Sequence, residues 1–305
     1  MHKVLIDTDP GIDDAMAIFY AGLHPDIDLI GMTSVFGNVT AEIAARNALV
    51  LSDMLGQDIP VAQGAAKPLE QTPKPVSDHV HGDEGFGDLP AQIPSCAPLD
   101  IDAADFIIET VHAHPGDVIL APIGPLTNIA EALRRDPEIA GKVKRLVIMG
   151  GGIARGNVTD FAEANIWNDP HAADAVFAAE WPVTMIGLDV TMQVLADPAD
   201  FDRCAKAAPQ LGGFLHRAAQ FYMRFYHAQY GLNGAQMHDP TALIAVTNPE
   251  YFALEPLRLE VILNGNRAGQ TRRSDNPERP LIDVALGVDA EAVKARFLSV
   301  IGTGH

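Results

Sequence analysis

Basic residues are scarce in this sequence. Twenty-one Lys and Arg face 40 Asp and Glu, a formal net charge of −19 at pH 7. A surface so acidic repels phosphate backbones and anionic bilayers, which excludes nucleic acid and membrane headgroups as partners. Cysteine is almost missing: Cys96 and Cys204 are too few for a disulfide framework or a cysteine-rich zinc site. Two reduced thiols in a cytoplasmic protein are the expectation. Long apolar runs are missing too. The longest candidate, around residues 172–190, is broken by Asp174 and Glu180, so it falls short of the roughly 20 residues a bilayer demands. The opening run Val4-Leu5-Ile6 is too short for a secretory signal and meets Asp7 at once. No Pro- or Ser-rich linker, repeat or low-complexity tract interrupts the chain, so one domain over residues 1–305 is expected.

What is present is an alternation of two periodicities. Lys3 to Asp7, Ile27 to Val35, Val118 to Ala121, Arg145 to Met149 and Val183 to Gly187 read as buried strands. Between them, Asp13 to Leu23, Ala41 to Leu55, Ala103 to Val111, Leu126 to Leu133 and Pro170 to Ala179 read as helices. Ala15, Ile18, Phe19 and Leu23 show the spacing of one helical face. This rhythm predicts an α/β fold with a Rossmann-like open, mostly parallel sheet flanked by helices. In such a sheet the active site lies at the C-terminal ends of the strands. Further on, Gly213 to Tyr230 and Pro240 to Ala245 read as helical, and Leu257 to Leu263 as a strand before an Arg-rich turn at Arg272 and Arg273. Residues 63–99 are rich in Pro, Gly and Asp, with little periodicity, as in a functional flap.

The chemistry concentrates in Asp7-Thr8-Asp9-Pro10-Gly11-Ile12-Asp13-Asp14. Four carboxylates follow a buried strand directly. A lone Asp pair there would be a helix cap in a solvated turn. Four carboxylates repel one another, and a hard cation with oxygen ligands, Ca²⁺ or Mg²⁺, relieves that repulsion.

The segment resembles the N-terminal signature of the inosine-uridine-preferring nucleoside hydrolases. Further stretches match that family in order. They are Val61-Ala62-Gln63-Gly64, His81-Gly82-Asp83, Gly124-Pro125-Leu126-Thr127-Asn128, Met149-Gly150-Gly151-Gly152, Gly156-Asn157, Glu163-Ala164-Asn165, Asp169-Pro170 and His238-Asp239-Pro240. The resemblance implies calcium-dependent hydrolysis of ribonucleosides to ribose and a free purine or pyrimidine base, through activated water and an oxocarbenium-like transition state. It also implies a homodimer or homotetramer.

Carried onto this chain, the family's Ca²⁺ ligands fall on Asp9, Asp14, Asp239 and the main-chain oxygen of Ile123. Asp9 doubles as general base, with Asp7 supporting it from behind. Asp13 takes the ribose 2′-hydroxyl. Asn38, Met149, Asn157, Glu163 and Asn165 form the sugar clamp, and Ala164 replaces the bulky aromatic that relatives can carry. His238 is the candidate for protonating the leaving base. His81 approaches base or sugar. Tyr222, Tyr226 and Tyr230 share a helical face; a stripe of that kind usually packs a core, but Tyr226 is the expected contact to the base.

Other readings compete. Ile6-Asp7-Thr8-Asp9 mimics the nucleophile motif of haloacid dehalogenase-type phosphatases, with Asp7 as nucleophile, Asp9 as acid/base and Mg²⁺ as cofactor. That reading leaves Asp13, Asp14 and Asp239 idle. His79-Val80-His81-Gly82-Asp83 mimics a binuclear zinc motif, although residue 84 is Glu where a second His belongs. Gly150-Gly151-Gly152 hints at a dinucleotide turn, but the full glycine pattern is absent. A non-catalytic ribose- or nucleoside-binding relative would share the clamp residues.

Overall fold

A computed structural model of the chain describes residues 1–304. The first half runs β1 (His2–Thr8), α1 (Ile12–Leu23), β2 (Ile27–Ser34), α2 (Ala41–Leu55), β3 (Val61–Gln63), α3 (Asp78–His81), α4 (Ala103–Ala113), β4 (Val118–Pro122), α5 (Thr127–Arg135) and β5 (Arg145–Met149). The second half adds α6 (Ala164–Asn168), α7 (Pro170–Ala178), β6 (Val183–Ile186), α8 (Leu188–Thr191), β7 (Leu195–Ala196), α9 (Pro198–Ala207), α10 (Leu211–Tyr230), β8 (Ala235–Gln236) and α11 (His238–Thr247). It closes with β9 (Phe252–Leu257), β10 (Leu259–Val261), β11 (Thr271–Arg273), β12 (Ile282–Val288) and α12 (Ala290–Ile301).

The central sheet has the order β3-β2-β1-β4-β5-β6-β12-β9. Its pairings are parallel except β9 against β12. The α/β, mostly parallel architecture is therefore as expected. From β1 the chain winds outward through β2 and β3, then returns to place β4 on the other side of β1. The switch point lies between the carboxyl ends of β1 and β4, where open sheets leave a crevice for ligands. The register sets Asp7 of β1 between Thr33 of β2 and Pro122 of β4.

Helices cover both faces of the sheet, which is why β1 is buried from Val4 to Thr8. One apolar layer joins α1 to Phe201, Phe214, Leu243 and Phe297 of α9, α10, α11 and α12. The other packs α4, α5 and α7 on the opposite face through Ile107, Ile129 and Val176. Residues Ile12 to Ala21 of α1 are all buried, so this helix packs on nearly every side instead of showing a single apolar stripe. Fully burying Phe19 or Ile18 contributes about 1.5–3 kcal/mol each. No helix among the described residues is long and apolar enough to cross a membrane.

Several C-terminal expectations need correction. Leu257 to Leu263 is not one strand: β9 ends at Leu257, and Leu259–Val261 pairs with β11 in a separate ribbon. Arg272 and Arg273 lie within β11, not in a turn. β12 and α12, outside the elements expected from the sequence, complete the sheet and one helical layer. The partners of β12, β6 and β9, are remote or irregular in sequence, so no local hairpin signal announces it. The flap region contains the single turn α3, which buries His81.

Candidate active site

The site is built on backbone turns that follow β1, β4 and β5. Gly11 caps α1, and the Asp14 carboxylate receives the Gly11 N–H at 2.9 Å. Asp14 also accepts from the Thr8 hydroxyl at 2.6 Å and the Asn38 amide at 3.1 Å. Asp13 occupies the same first helical turn, and Asp239 the first turn of α11. Ligand atoms of Asp13, Asp14 and Asp239 all lie within 4.8 Å of one another. Asp9 stands beside this triplet: its N–H reaches Asp14 at 3.3 Å, and its Oδ2 accepts from the Asn38 N–H at 2.6 Å. Asp9 Oδ1 is buried with no partner. Gly124 crowds that oxygen, since a Cβ there would sit 2.6 Å from it.

Asp7 lies deeper, gripped by Thr33 at 2.6 Å and Asn128 at 2.7 Å. A fully buried carboxylate held in this way cannot serve as the nucleophile of the phosphatase reading.

Electrostatics define the cluster. Burial, then repulsion from Asp14, raises Asp13 to about 8 and holds Asp9 well above the ordinary carboxylate range. Burial and repulsion from Asp13, Asp14 and Asp9 do the same to Asp239. Burial raises Asp14, and raises Asp7 to about 7. Among the described residues, no lysine or arginine lies within ion-pairing distance of these carboxylates, and His81 stands 3.9 Å from Asp13.

Above the cluster opens a cavity of about 490 Å³, a volume suited to a small organic ligand. Asp13, Asn38, His81, Ile123, Met149, Asn157, Glu163, Asn165, Tyr226, His238 and Asp239 line it. Asp9 and Asp14 lie buried beside this lining. The fold thus gathers the candidate residues, but it spends some of their bonds on itself. Glu163 caps α6 and accepts from the N–H groups of Gly151, Asn165 and Ile166 at 2.9, 2.9 and 3.1 Å. Asn165 donates to the carbonyls of Ile123 and Met149 at 2.8 and 3.1 Å, which leaves its Oδ1 out of those bonds. Asn157 accepts from the Ala164 N–H at 3.0 Å.

Two histidines close the cavity. His81 Nδ1 accepts the Ile12 N–H at 3.1 Å, so a neutral ring carries its hydrogen on Nε2. Burial pushes His81 down to about 3 despite Asp13 at 3.9 Å. Gly11 permits this approach, because a Cβ there would strike the imidazole. His79, by contrast, is exposed and packs edge-on against Phe225, so the two histidines do not converge on one metal. His238 meets the Thr191 hydroxyl at Nδ1 (2.8 Å) and the Tyr226 hydroxyl at Nε2 (2.9 Å), and burial lowers it to about 4. Tyr222 and Tyr226 pack edge to face at 4.8 Å between ring centres and line the cavity with Tyr230. The tyrosine stripe is therefore a wall of the site, extending beyond the single contact expected at Tyr226. Thr191 carries no sequence signal for its contact to His238.

A parallel sheet with buried acids at its switch point and a cavity of this lining is the architecture of the nucleoside hydrolases, enzymes that hydrolyse a glycosidic bond. The chain belongs to the inosine-uridine preferring nucleoside hydrolase family, whose pattern matches residues 4–295. It is similar to the probable uridine nucleosidase 1 of Oryza sativa subsp. japonica, at 39% identity over 305 residues, covering 96% of this chain and 94% of that one. The inosine-uridine preferring nucleoside hydrolase of Crithidia fasciculata is 37% identical over 297 residues, covering 95% and 94%. Among solved structures, a plant nucleoside hydrolase superposes with a TM-score of 0.96 at 34% identity, covering 99% of each chain. The purine-preferring ribonucleoside hydrolase from Gardnerella vaginalis superposes with a TM-score of 0.94 at 36% identity, covering 98% of each.

Proposed function

We propose that this chain hydrolyses ribonucleosides, of both purine and pyrimidine type, in a calcium-dependent reaction. The observation that carries this reading is the group of buried aspartates with no cationic partner, opening on a cavity lined by amides and histidines. The donor set fits a hard divalent cation: it is all oxygen, mutually repelling, and Asp9 Oδ1 is buried without a partner. Asp9, Asp14, Asp239 and the Ile123 carbonyl would hold Ca²⁺, with Mg²⁺ the other cation such oxygens admit. When bound, the cation supplies Lewis acidity that makes water a nucleophile near neutral pH.

The chain's own residues do the rest. Asp9, flanked by Gly124 and fixed by the Asn38 N–H, accepts the proton of the attacking water. Asp13 faces the cavity and receives the ribose 2′-hydroxyl, as a carboxylate acceptor should. Asn38, Asn157 and the free oxygen of Asn165 hold the remaining sugar hydroxyls. Glu163, its carboxylate bonded to three N–H groups, anchors the start of α6 and so orients Asn165 and Met149. Neutral His81 contacts the substrate through Nε2–H. The Tyr226–His238 pair meets the departing base with hydrogen-bond donors, which stabilise charge developing on its nitrogen.

Two free cysteines, one exposed and one buried, suit the cytoplasm, and assembly as a homodimer or homotetramer is part of the same reading. The test is ribose release from inosine and uridine before chelation, after it, and with Ca²⁺ restored. Ribose that appears, stops and returns supports the proposal. Binding of nucleoside without ribose release would identify a non-catalytic relative.

A further inference from the structure

Thr191 lies at the end of α8, fully buried and outside the ligands and clamp described above. Its hydroxyl is 2.8 Å from His238 Nδ1. The hydrogens along this row can be assigned by elimination. Tyr226 donates its single hydroxyl hydrogen to the Tyr222 oxygen at 3.2 Å. Tyr226 therefore has none to give His238 Nε2 at 2.9 Å, so that nitrogen must be the donor. Neither ring nitrogen touches a carboxylate, and a neutral imidazole carries one hydrogen. Nδ1 is then an acceptor, and Thr191 must donate to it.

We propose that Thr191 is a positioning residue for the leaving-group end of the site. Its hydroxyl fixes the His238 hydrogen on Nε2, and so keeps the Tyr226 hydrogen available to the departing base. The Tyr226–Tyr222 bond is the longest in the row, and it is the one that a base nitrogen or oxygen in the cavity takes over. In the opposite tautomer Tyr226 would spend its hydrogen on Nε2 and have nothing to offer the base. This inference rests on the nucleosidase reading of the cavity.

The test combines two variants, two leaving groups and a spectrum. Thr191→Val removes the hydroxyl at nearly constant shape, and Thr191→Ser keeps it. With uridine and inosine, Thr191→Val should lower kcat about tenfold or more at unchanged KM, a part of what a positioned proton donor contributes. With 4-nitrophenyl riboside, whose leaving group departs without a donor, Thr191→Val should lose less than about threefold, and Thr191→Ser should stay within about threefold on every substrate. Histidine-labelled wild-type protein should show, by ¹⁵N NMR, an unprotonated Nδ1 and a protonated Nε2 at His238.

Equal losses on both kinds of leaving group, no rescue by serine, or a protonated Nδ1 would each overturn the inference. The spectrum decides even where Thr191→Val does not fold. Wild-type protein that releases no ribose from any nucleoside overturns the nucleosidase reading instead, and the spectrum still tests Thr191.

Discussion

Cation binding should release protons, and the number released follows from the buried acids. With Asp13 raised to about 8, and Asp9 and Asp239 held well above the carboxylate range, the cation-free cluster retains protons at neutral pH. A divalent cation demands the ionised forms, so binding expels those protons. Each proton expelled tightens the apparent affinity about tenfold per pH unit, or roughly 1.36 kcal/mol. One to two protons therefore predict about a 10²- to 10⁴-fold gain in Ca²⁺ affinity between about pH 5.5 and 7.5. Stability runs the other way without the cation. The folded-state pKa of Asp13 exceeds its unfolded value, so the folded chain binds more protons, and stability falls as pH rises from 3.8 towards about 8. Calorimetric titration of Ca²⁺ in buffers of different ionisation enthalpy counts the protons directly. A count of zero with an affinity flat across this range would refute the electrostatic account of the cluster.

Three substitutions or substrates probe individual positions. Asp9→Ala removes the proposed base and a cation ligand, and should lower kcat on uridine by at least about 10²- to 10⁴-fold, read by ribose release; wild-type turnover would remove Asp9 from the mechanism. 2′-Deoxyuridine should be a poor substrate, because Asp13 loses its hydroxyl partner; equal kcat/KM for uridine and deoxyuridine would show the sugar bound elsewhere. Gly124→Ala places a Cβ 2.6 Å from Asp9 Oδ1 and 2.9 Å from Val35 Cγ1, so about 1–3 kcal/mol of overpacking should lower both Tm and activity. Gly141→Ala, with nothing within 4 Å of the added carbon, is the control for thermal melting.

How much of this was legible in the sequence depends on how local each cause is. Asp7 to Asp14 could be read because strand end, turn and helix start are consecutive, and the helix cap uses Asp14 itself. The parallel strands β1, β4, β5 and β6 could be read because burial on both faces leaves short, mostly apolar runs. The helix α9 carried a readable signal that went unused, the capping box Asp197-Pro198 to Asp200. β12 had no such signal, since its register is set by β6 and β9. Asp239 and His238 were reached through family resemblance alone, and Thr191 not at all. A buried threonine in a single-turn helix has no pattern until the fold brings α11 against it.

That dependence on α11 has an energetic consequence. Asp13 and Asp14 belong to the N-terminal helix α1, and Asp239 to α11, which packs on α1 within the apolar layer that also holds Phe19 and Ile244. Apolar burial draws the two helices together, while the acids at their facing ends push them apart once ionised, because desolvation and like charge act on the same groups. A cation held between them would convert that repulsion into a tie between segments more than 220 residues apart in the sequence. Catalytic competence and tertiary closure would then share one electrostatic cause. The short Gly11 turn that brings both Asp13 and Asp14 to the helix start also leaves room for His81. The site is thus assembled by the packing that completes the fold, and its acids oppose that packing until their charge is matched.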